Sequence, residues 1–161
     1  MTIREARPDD VEAAARAYEE SWNATLAPLL GKTLGELVPF DARVESFRTG
    51  LERTSPDAKV WVADRDGEIV GVAVYARIDD EAGELKGLYV VPAAWGTGAA
   101  QELTAAALDA MRAAGQRVAV LWVVEENGRA RRFYEREGWT AEDVRRESPL
   151  GPAELRYRLE L

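Results

Sequence analysis

The feature that most constrains this chain is the stretch LYVVPAAWGTGAAQEL, in which a short apolar strand leads through Pro92 into a Gly-x-Gly turn and an alanine-rich helix. Gly96 and Gly98 can adopt backbone angles closed to other residues, and neither carries a Cβ that would hold a ligand away from the main chain. The pattern therefore predicts unpaired N–H groups at a helix N-terminus, an arrangement suited to phosphate. Taken alone, such a turn is equally typical of close packing between a strand and a helix.

Two common phosphate-binding motifs do not fit the chain. A dinucleotide-binding fingerprint needs Gly or Ala at its last position, which counted from Gly96 is Gln101. The run Gly31–Thr33 is similar to the end of a phosphate loop, but Leu26 stands where that loop needs its leading glycine. Neither motif therefore explains the Gly-x-Gly turn.

A second motif follows in VAVLWVVEENGRARRFYEREGW. The apolar run Val118–Val124 predicts a buried central strand, and Asn127 is a good N-cap for a helix after it. Helical spacing places Asn127, Ala130 and Tyr134 on one face. One amide and one phenol are thus predicted to point the same way.

Together, WGTGAA and NGRARRFYEREGW, each behind its own strand and in this order, resemble the GNAT superfamily of acyl-CoA-dependent N-acetyltransferases. The resemblance is specific over residues 84–139 and looser over residues 3–10 and 60–75. Residues 22–56 show none. The resemblance implies acetyl-CoA as co-substrate and a small-molecule or peptide amine as acceptor.

The resemblance also implies positions for the cofactor. The strand that ends at Val91 would line the acyl-pantetheine, the turn would wrap the pyrophosphate, the strand around Trp122 would splay away, and Asn127 would bond the pantetheine. Trp95 departs from the family, which usually has Arg or Gln there, so phosphate affinity would rest on backbone amides, with Thr97 and a nearby arginine as further candidates. The implied cofactor-binding residues are Leu88, Tyr89, Val90, Trp95, Gly96, Thr97, Gly98, Ala99, Ala100, Asn127 and Arg129.

The absence of Cys and His narrows the chemistry. It excludes a cysteine acyl-enzyme, a histidine base, a Ser-His-Asp triad and a Cys/His zinc site, and no metal is expected. Direct transfer in a ternary complex remains. An alkyl amine, with a pKa near ~10.4, must lose a proton before it attacks, so a carboxylate or a water held by one is the expected base.

The family resemblance implies that Tyr134 lies near the thioester sulfur as general acid; the alternative is a packed aromatic. Glu84, at the start of the strand that leads to the turn, is the candidate base; the alternative is a solvated carboxylate at a strand end. The acidic run Asp79–Glu81 would favour cationic amines if it folded over the acceptor. Trp22, Phe40 and Phe47 are the candidate acceptor-binding residues, although such stripes are more often core.

The elements predict one domain over residues 1–161, of α/β (α+β) class: a mixed, mostly antiparallel sheet of six to seven strands with helices on both faces. A hairpin is predicted at Asp66-Gly67. Strands are predicted at 2–6, 59–63, 69–78, 85–91, 118–124, 140–146 and 154–159. Helices are predicted at 8–23, 98–114 and 127–137, and residues 32–53 are predicted as helix with irregular stretches.

Composition bears on partners and location. The net charge of −8, from 21 basic and 29 acidic residues, argues against nucleic acid as a partner. No apolar run is long enough to span a bilayer, and the first residues lack the apolar core of a signal peptide, so no membrane and a cytoplasmic location are expected. The last strand could pair across a homodimer.

Two other functions stay open from the sequence. One is a non-catalytic acyl-CoA sensor or interaction module, although binding alone does not need the phenol of Tyr134. The other is a site for a different phosphorylated ligand, which the departure at Trp95 allows.

Overall fold

A seven-stranded sheet organises the chain in the computed structural model, which describes residues 1–161. Its strands are β1 (Thr2–Glu5), β2 (Ala58–Arg65), β3 (Glu68–Arg77), β4 (Ala82–Val90), β5 (Val118–Val124), β6 (Thr140–Glu147) and β7 (Ala153–Glu160). Their spatial order is β1-β2-β3-β4-β5-β7-β6, and every neighbouring pair is antiparallel except β4 with β5. The predicted mixed, mostly antiparallel sheet is confirmed.

Helices cover both faces of this sheet, as predicted. They are α1 (Val11–Thr25), α2 (Ala27–Leu30), α3 (Leu34–Leu37), α4 (Phe40–Glu52), α5 (Ala99–Ala113) and α6 (Gly128–Arg136). Tyr89 of β4 packs on Tyr18 of α1, whereas the next residue, Val90, pairs with Gly71 beside Leu103 of α5. Successive residues of a strand point to opposite faces, so α1 and α5 lie on opposite sides of the sheet. None of these helices has the length and apolarity needed to cross a membrane.

Local signals placed most element boundaries correctly. Asp66 and Gly67 both have positive φ, 55° and 89°, which is the conformation of a two-residue hairpin turn. Residues 32–53, predicted as helix with irregular stretches, form α3 and α4 with a break at Val38 and Pro39. Val38 is extended and Pro39 is the N-cap of α4, because proline disfavours a helical residue before it and supplies no N–H.

The sheet opens where β4 leaves β5. The two strands pair only from Ala82–Val118 to Glu84–Val120, and beyond Glu84 they separate. A bulge against β3 accompanies the separation, because Lys86 has no partner between the pairs on either side of it. The remaining edge of β4 therefore faces a gap instead of another strand.

Close packing fixes the junction at which the strands separate. Gly83 lies against α5, where an added Cβ would come 2.2 Å from Gln116 Oε1 and 2.9 Å from Met111 and Tyr75. The Tyr75 hydroxyl donates to Gln116 Oε1 at 3.2 Å in the same buried place. Only glycine fits there without moving these neighbours.

We expect Gly83→Ala to lower the free energy of unfolding by about 1–3 kcal/mol, because the added methyl overpacks a buried junction. Gly50→Ala is the matched control, since a Cβ at Gly50 of α4 meets nothing within 4 Å. Helix propensity should make that substitution stabilising by about 0.5–1 kcal/mol. Urea unfolding of both variants checks the contrast, and equal effects would contradict the packing described for Gly83.

Candidate active site

A cavity of about 450 Å³ lies between the start of α5 and one face of α6. Most of the residues predicted to bind the cofactor line it. They are Leu88, Tyr89, Val90, Trp95, Gly96, Gly98, Ala99, Ala100, Asn127 and Arg129. The two sequence motifs are therefore brought together on one cavity.

The turn before α5 presents unpaired donors to this cavity. Gly96 and Gly98 have φ of 76° and 92°, and a Cβ at Gly96 would meet nothing within 4 Å. None of the backbone N–H groups of Gly96, Gly98 and the first turn of α5, residues 99–101, has an acceptor in the protein. Such a concave set of N–H groups at a helix N-terminus fits a phosphate group.

Arginines of α6 add positive charge opposite the turn. Arg129, Arg132 and Arg136 line the cavity, and none of them has a carboxylate partner. Arg131 points elsewhere, because its guanidinium donates to the Tyr157 hydroxyl at 2.9 Å and to a carbonyl at 3.0 Å. The cavity can therefore neutralise several phosphate charges.

Trp95 positions one of these arginines. Its Nε1 donates to the Val90 carbonyl at 2.9 Å, and the Arg129 guanidinium stacks 3.8 Å from the centre of its ring. Arg129 of α6 thus brings a guanidinium group to the side of Trp95. Thr97 does not line the cavity, because its hydroxyl donates to the Ala94 carbonyl at 2.7 Å and braces the turn.

A larger cavity, of about 1070 Å³, adjoins the first and is lined by residues of α1, α4, β4 and the turn before β7. Trp22, which is buried, and Phe47 line it as the sequence predicted. Phe40 does not line it. The ring of Phe40 lies beneath the guanidinium groups of Arg16 and Arg43, at 5.1 and 5.2 Å.

The two cavities meet at Tyr134, which lines both. Burial raises the pKa of this phenol above its ordinary value of 10.0, and its hydroxyl makes no hydrogen bond within the protein. Asn127 also lines both cavities. Its Oδ1 accepts from the Ala130 N–H at 3.2 Å, as an N-cap does, which leaves the Nδ2 donors free for a ligand.

Tyr18, which was not among the predicted site residues, joins the predicted Tyr89 at this junction. Tyr18 and Tyr89 have ring centroids 4.1 Å apart on the wall of the larger cavity, and burial raises the pKa of both phenols. The helical spacing of Tyr18, Ser21, Trp22 and Thr25 could have indicated a lining face of α1, since its polar members interrupt an otherwise apolar stripe.

Glu84 lines neither cavity. It lies half-buried opposite Val120, in the part of β4 that still pairs with β5. The carboxylates that line the larger cavity are Glu45 and Glu154. The role of Glu84 as a base stays a prediction.

Residues 12–139 match the acetyltransferase (GNAT) family. The chain belongs to the GNAT family. An uncharacterised N-acetyltransferase of Archaeoglobus fulgidus is 32% identical over 155 residues, covering 91% of this chain and 94% of the relative. Another uncharacterised N-acetyltransferase, of Mycobacterium tuberculosis, is 37% identical over 105 residues, which cover 65% of this chain and 67% of the relative. The PaiA N-acetyltransferase of Thermoplasma acidophilum, solved with coenzyme A, has the same fold at a TM-score of 0.79 and 19% identity, over 99% and 98% of the two chains.

Family membership makes this GNAT protein an acyltransferase with acetyl-CoA as co-substrate. The residues present fit that molecule, because the smaller cavity combines free N–H donors, unpaired arginines and a connection to a second cavity. The resemblance noted from the sequence is thereby confirmed.

We expect Gly98→Ala to abolish most of the rise in melting temperature that acetyl-CoA causes, because the substitution disturbs the turn whose N–H groups face the cavity. Gly115→Ala is the matched control, since Gly115 also has positive φ, 80°, and ends α5 away from both cavities. Backbone strain should cost both variants about 1–3 kcal/mol. An equal loss of the acetyl-CoA shift in both would contradict the phosphate site.

Proposed function

We propose that this GNAT protein transfers the acetyl group of acetyl-CoA to a primary amine by direct attack within a ternary complex. The observation that carries the proposal is the shared wall of the two cavities, where Tyr134 and Asn127 line both. A cofactor in the smaller cavity and an acceptor in the larger one would meet at these residues. With no Cys in the chain, a cysteine acyl-enzyme is not available as an alternative route.

The proposed binding of the cofactor follows from the donors on each wall. The N–H groups of the turn and the guanidinium of Arg129 would hold the pyrophosphate. The edge of β4 from Leu88 to Val90, which has no strand beside it, and the Nδ2 group of Asn127 would hold the pantetheine amides. These contacts would place the thioester at Tyr134.

The reaction needs two proton movements. The thioester supplies an electrophilic carbonyl carbon, which the amine nitrogen attacks before the carbon–sulfur bond breaks. The Tyr134 hydroxyl gives its proton to the departing sulfur. Burial holds the pKa of this phenol above 10.0, so at neutral pH the O–H is present when the sulfur departs, and the phenolate that forms regains a proton from solvent before the next cycle.

The second proton leaves the attacking amine. Among the carboxylates that line the larger cavity, Glu154 is the better placed, because it lies opposite Val124 at the end of β5 and its side chain is 15% exposed, against 65% for Glu45. We propose that Glu154 accepts this proton through a water molecule. Glu84 is the alternative, acting at a greater distance from the cavity.

Tyr134→Phe should lower kcat by roughly 10²–10⁴-fold and leave the KM for acetyl-CoA nearly unchanged, because it removes only the acid. Tyr75→Phe is the control, since it removes a buried hydroxyl outside both cavities and should keep kcat. With the Tyr134 pKa above 10.0, no descending limb from this group should appear below pH 10.

Full kcat in Tyr134→Phe would contradict the acid role. Acetyl-CoA binding by the wild type without acetylation of any primary amine would favour the non-catalytic acyl-CoA module instead.

Glu154→Gln should lower kcat/KM by about tenfold or more, because the variant cannot accept a proton. Glu142→Gln is the control, since Glu142 also pairs with an arginine in this part of the sheet but lines neither cavity. Glu84→Gln is measured beside them. A loss of kcat/KM in Glu84→Gln that Glu154→Gln does not show would return the base to Glu84.

A further inference from the structure

The larger cavity carries positive charge in a protein whose net charge is −8. Its lining includes the basic residues Arg43, Arg53, Lys86 and Arg146 but only two carboxylates, Glu45 and Glu154. The acidic run 79–81 lies outside this lining. The expectation that this run would favour a cationic acceptor therefore has no support in the geometry.

An ion pair with an arginine offsets the negative charge of each of these two carboxylates. Glu45 is bound by Arg48 on the same helix, and Glu154 is bound by Arg146 at 2.9 Å. Arg53 and Lys86 make no ion pair or side-chain hydrogen bond within the protein, and both are exposed at the cavity. The charge left over in the cavity is positive.

Arg43 is the buried member of this set, only 3% exposed. Its Nε donates to the Val38 carbonyl at 3.2 Å, which uses one of its donors. Nη2 lies 3.2 Å from Glu19 Oε2 without the alignment of a hydrogen bond, and Nη1 has no partner at all. Buried donors are rarely left unpaired, so a ligand that accepted from this guanidinium would fill a gap in the protein's own bonding.

We infer that the amine acceptor carries an anionic group, a carboxylate or a phosphate, and that Arg43, Arg53 and Lys86 bind it. This inference rests on the proposed transfer to an amine in the same cavity. The planar guanidinium of Arg43 suits either anion, because its donors form a fork that matches two oxygens. Arg53 at the end of α4 and Lys86 at the bulge of β4 supply charge from two sides.

Matched amines test the inference with the wild-type protein. The pairs are glycine with glycinamide, phosphoethanolamine with ethanolamine, and glucosamine 6-phosphate with glucosamine, and spermidine is the cationic comparison. Acetyl-CoA-dependent release of the CoA thiol gives kcat/KM for each. The anionic member of at least one pair should exceed its neutral partner by about tenfold or more, and the pair that responds distinguishes carboxylate from phosphate.

Variants of the lining residues test whether the preference for anionic amines arises in the larger cavity. Arg53→Gln and Lys86→Gln should each reduce the ratio of anionic to neutral kcat/KM several-fold, mainly through KM. Arg117→Gln and Lys32→Gln remove exposed charges outside both cavities and should leave the ratio unchanged. Arg43→Lys keeps the charge without the fork, and its melting temperature shows whether it folds. If Arg43→Lys does not fold, the results for Arg53→Gln and Lys86→Gln alone test the inference.

Several results would overturn the inference. Efficient acetylation of neutral amines or spermidine, without preference for an anionic partner, would contradict it and leave the proposed transfer intact. A preference that survives in both Arg53→Gln and Lys86→Gln would also contradict it. Acetyl-CoA binding without acetylation of any amine in the set would instead overturn the proposed function, and the inference with it.

Discussion

The limited pairing of β4 with β5 is the constraint on which the site depends. These strands are held together from Ala82–Val118 to Glu84–Val120, and the packing of Gly83 against α5 fixes the place where they separate. Pairing over their full length would cover the edge of β4 and close the shared wall of the two cavities. The unpaired edge leaves backbone donors and acceptors for a ligand in the middle of the sheet.

The charge of the two cavities is opposite in sign to the net charge of the chain. The chain has a net charge of −8, but the unpaired ionised groups that line its two cavities are mainly cationic, from α6 in one cavity and from α4 and β4 in the other. In the smaller cavity, Trp95 holds Arg129 by stacking, so an aromatic residue and an arginine from distant positions replace a single basic side chain. In the larger one, ion pairing neutralises the carboxylates and leaves the cations free. Local pairing, rather than net charge, decides what each cavity can bind.

The sequence predicted the fold and the Gly-x-Gly turn before α5 because their signals are local. The run Val118–Val124 coincides with β5, and Asn127 caps α6 through its own side chain. Arg43 could not be foreseen, because its surroundings come from α1 and from the segment before α4, which no local pattern brings together. Glu84 was predicted as a base from its place in the strand. The point at which β4 leaves β5 depends on a bulge that leaves no mark in the sequence.

A crystal structure with acetyl-CoA tests the central claim most directly, namely that the cofactor enters where β4 leaves β5 and ends at Tyr134. The account predicts pyrophosphate oxygens on the N–H groups of Gly96 to Gln101, with Arg129 against them. It predicts the thioester sulfur about 3–3.5 Å from the Tyr134 hydroxyl. Pyrophosphate bound away from the turn, or a thioester remote from Tyr134, would contradict it.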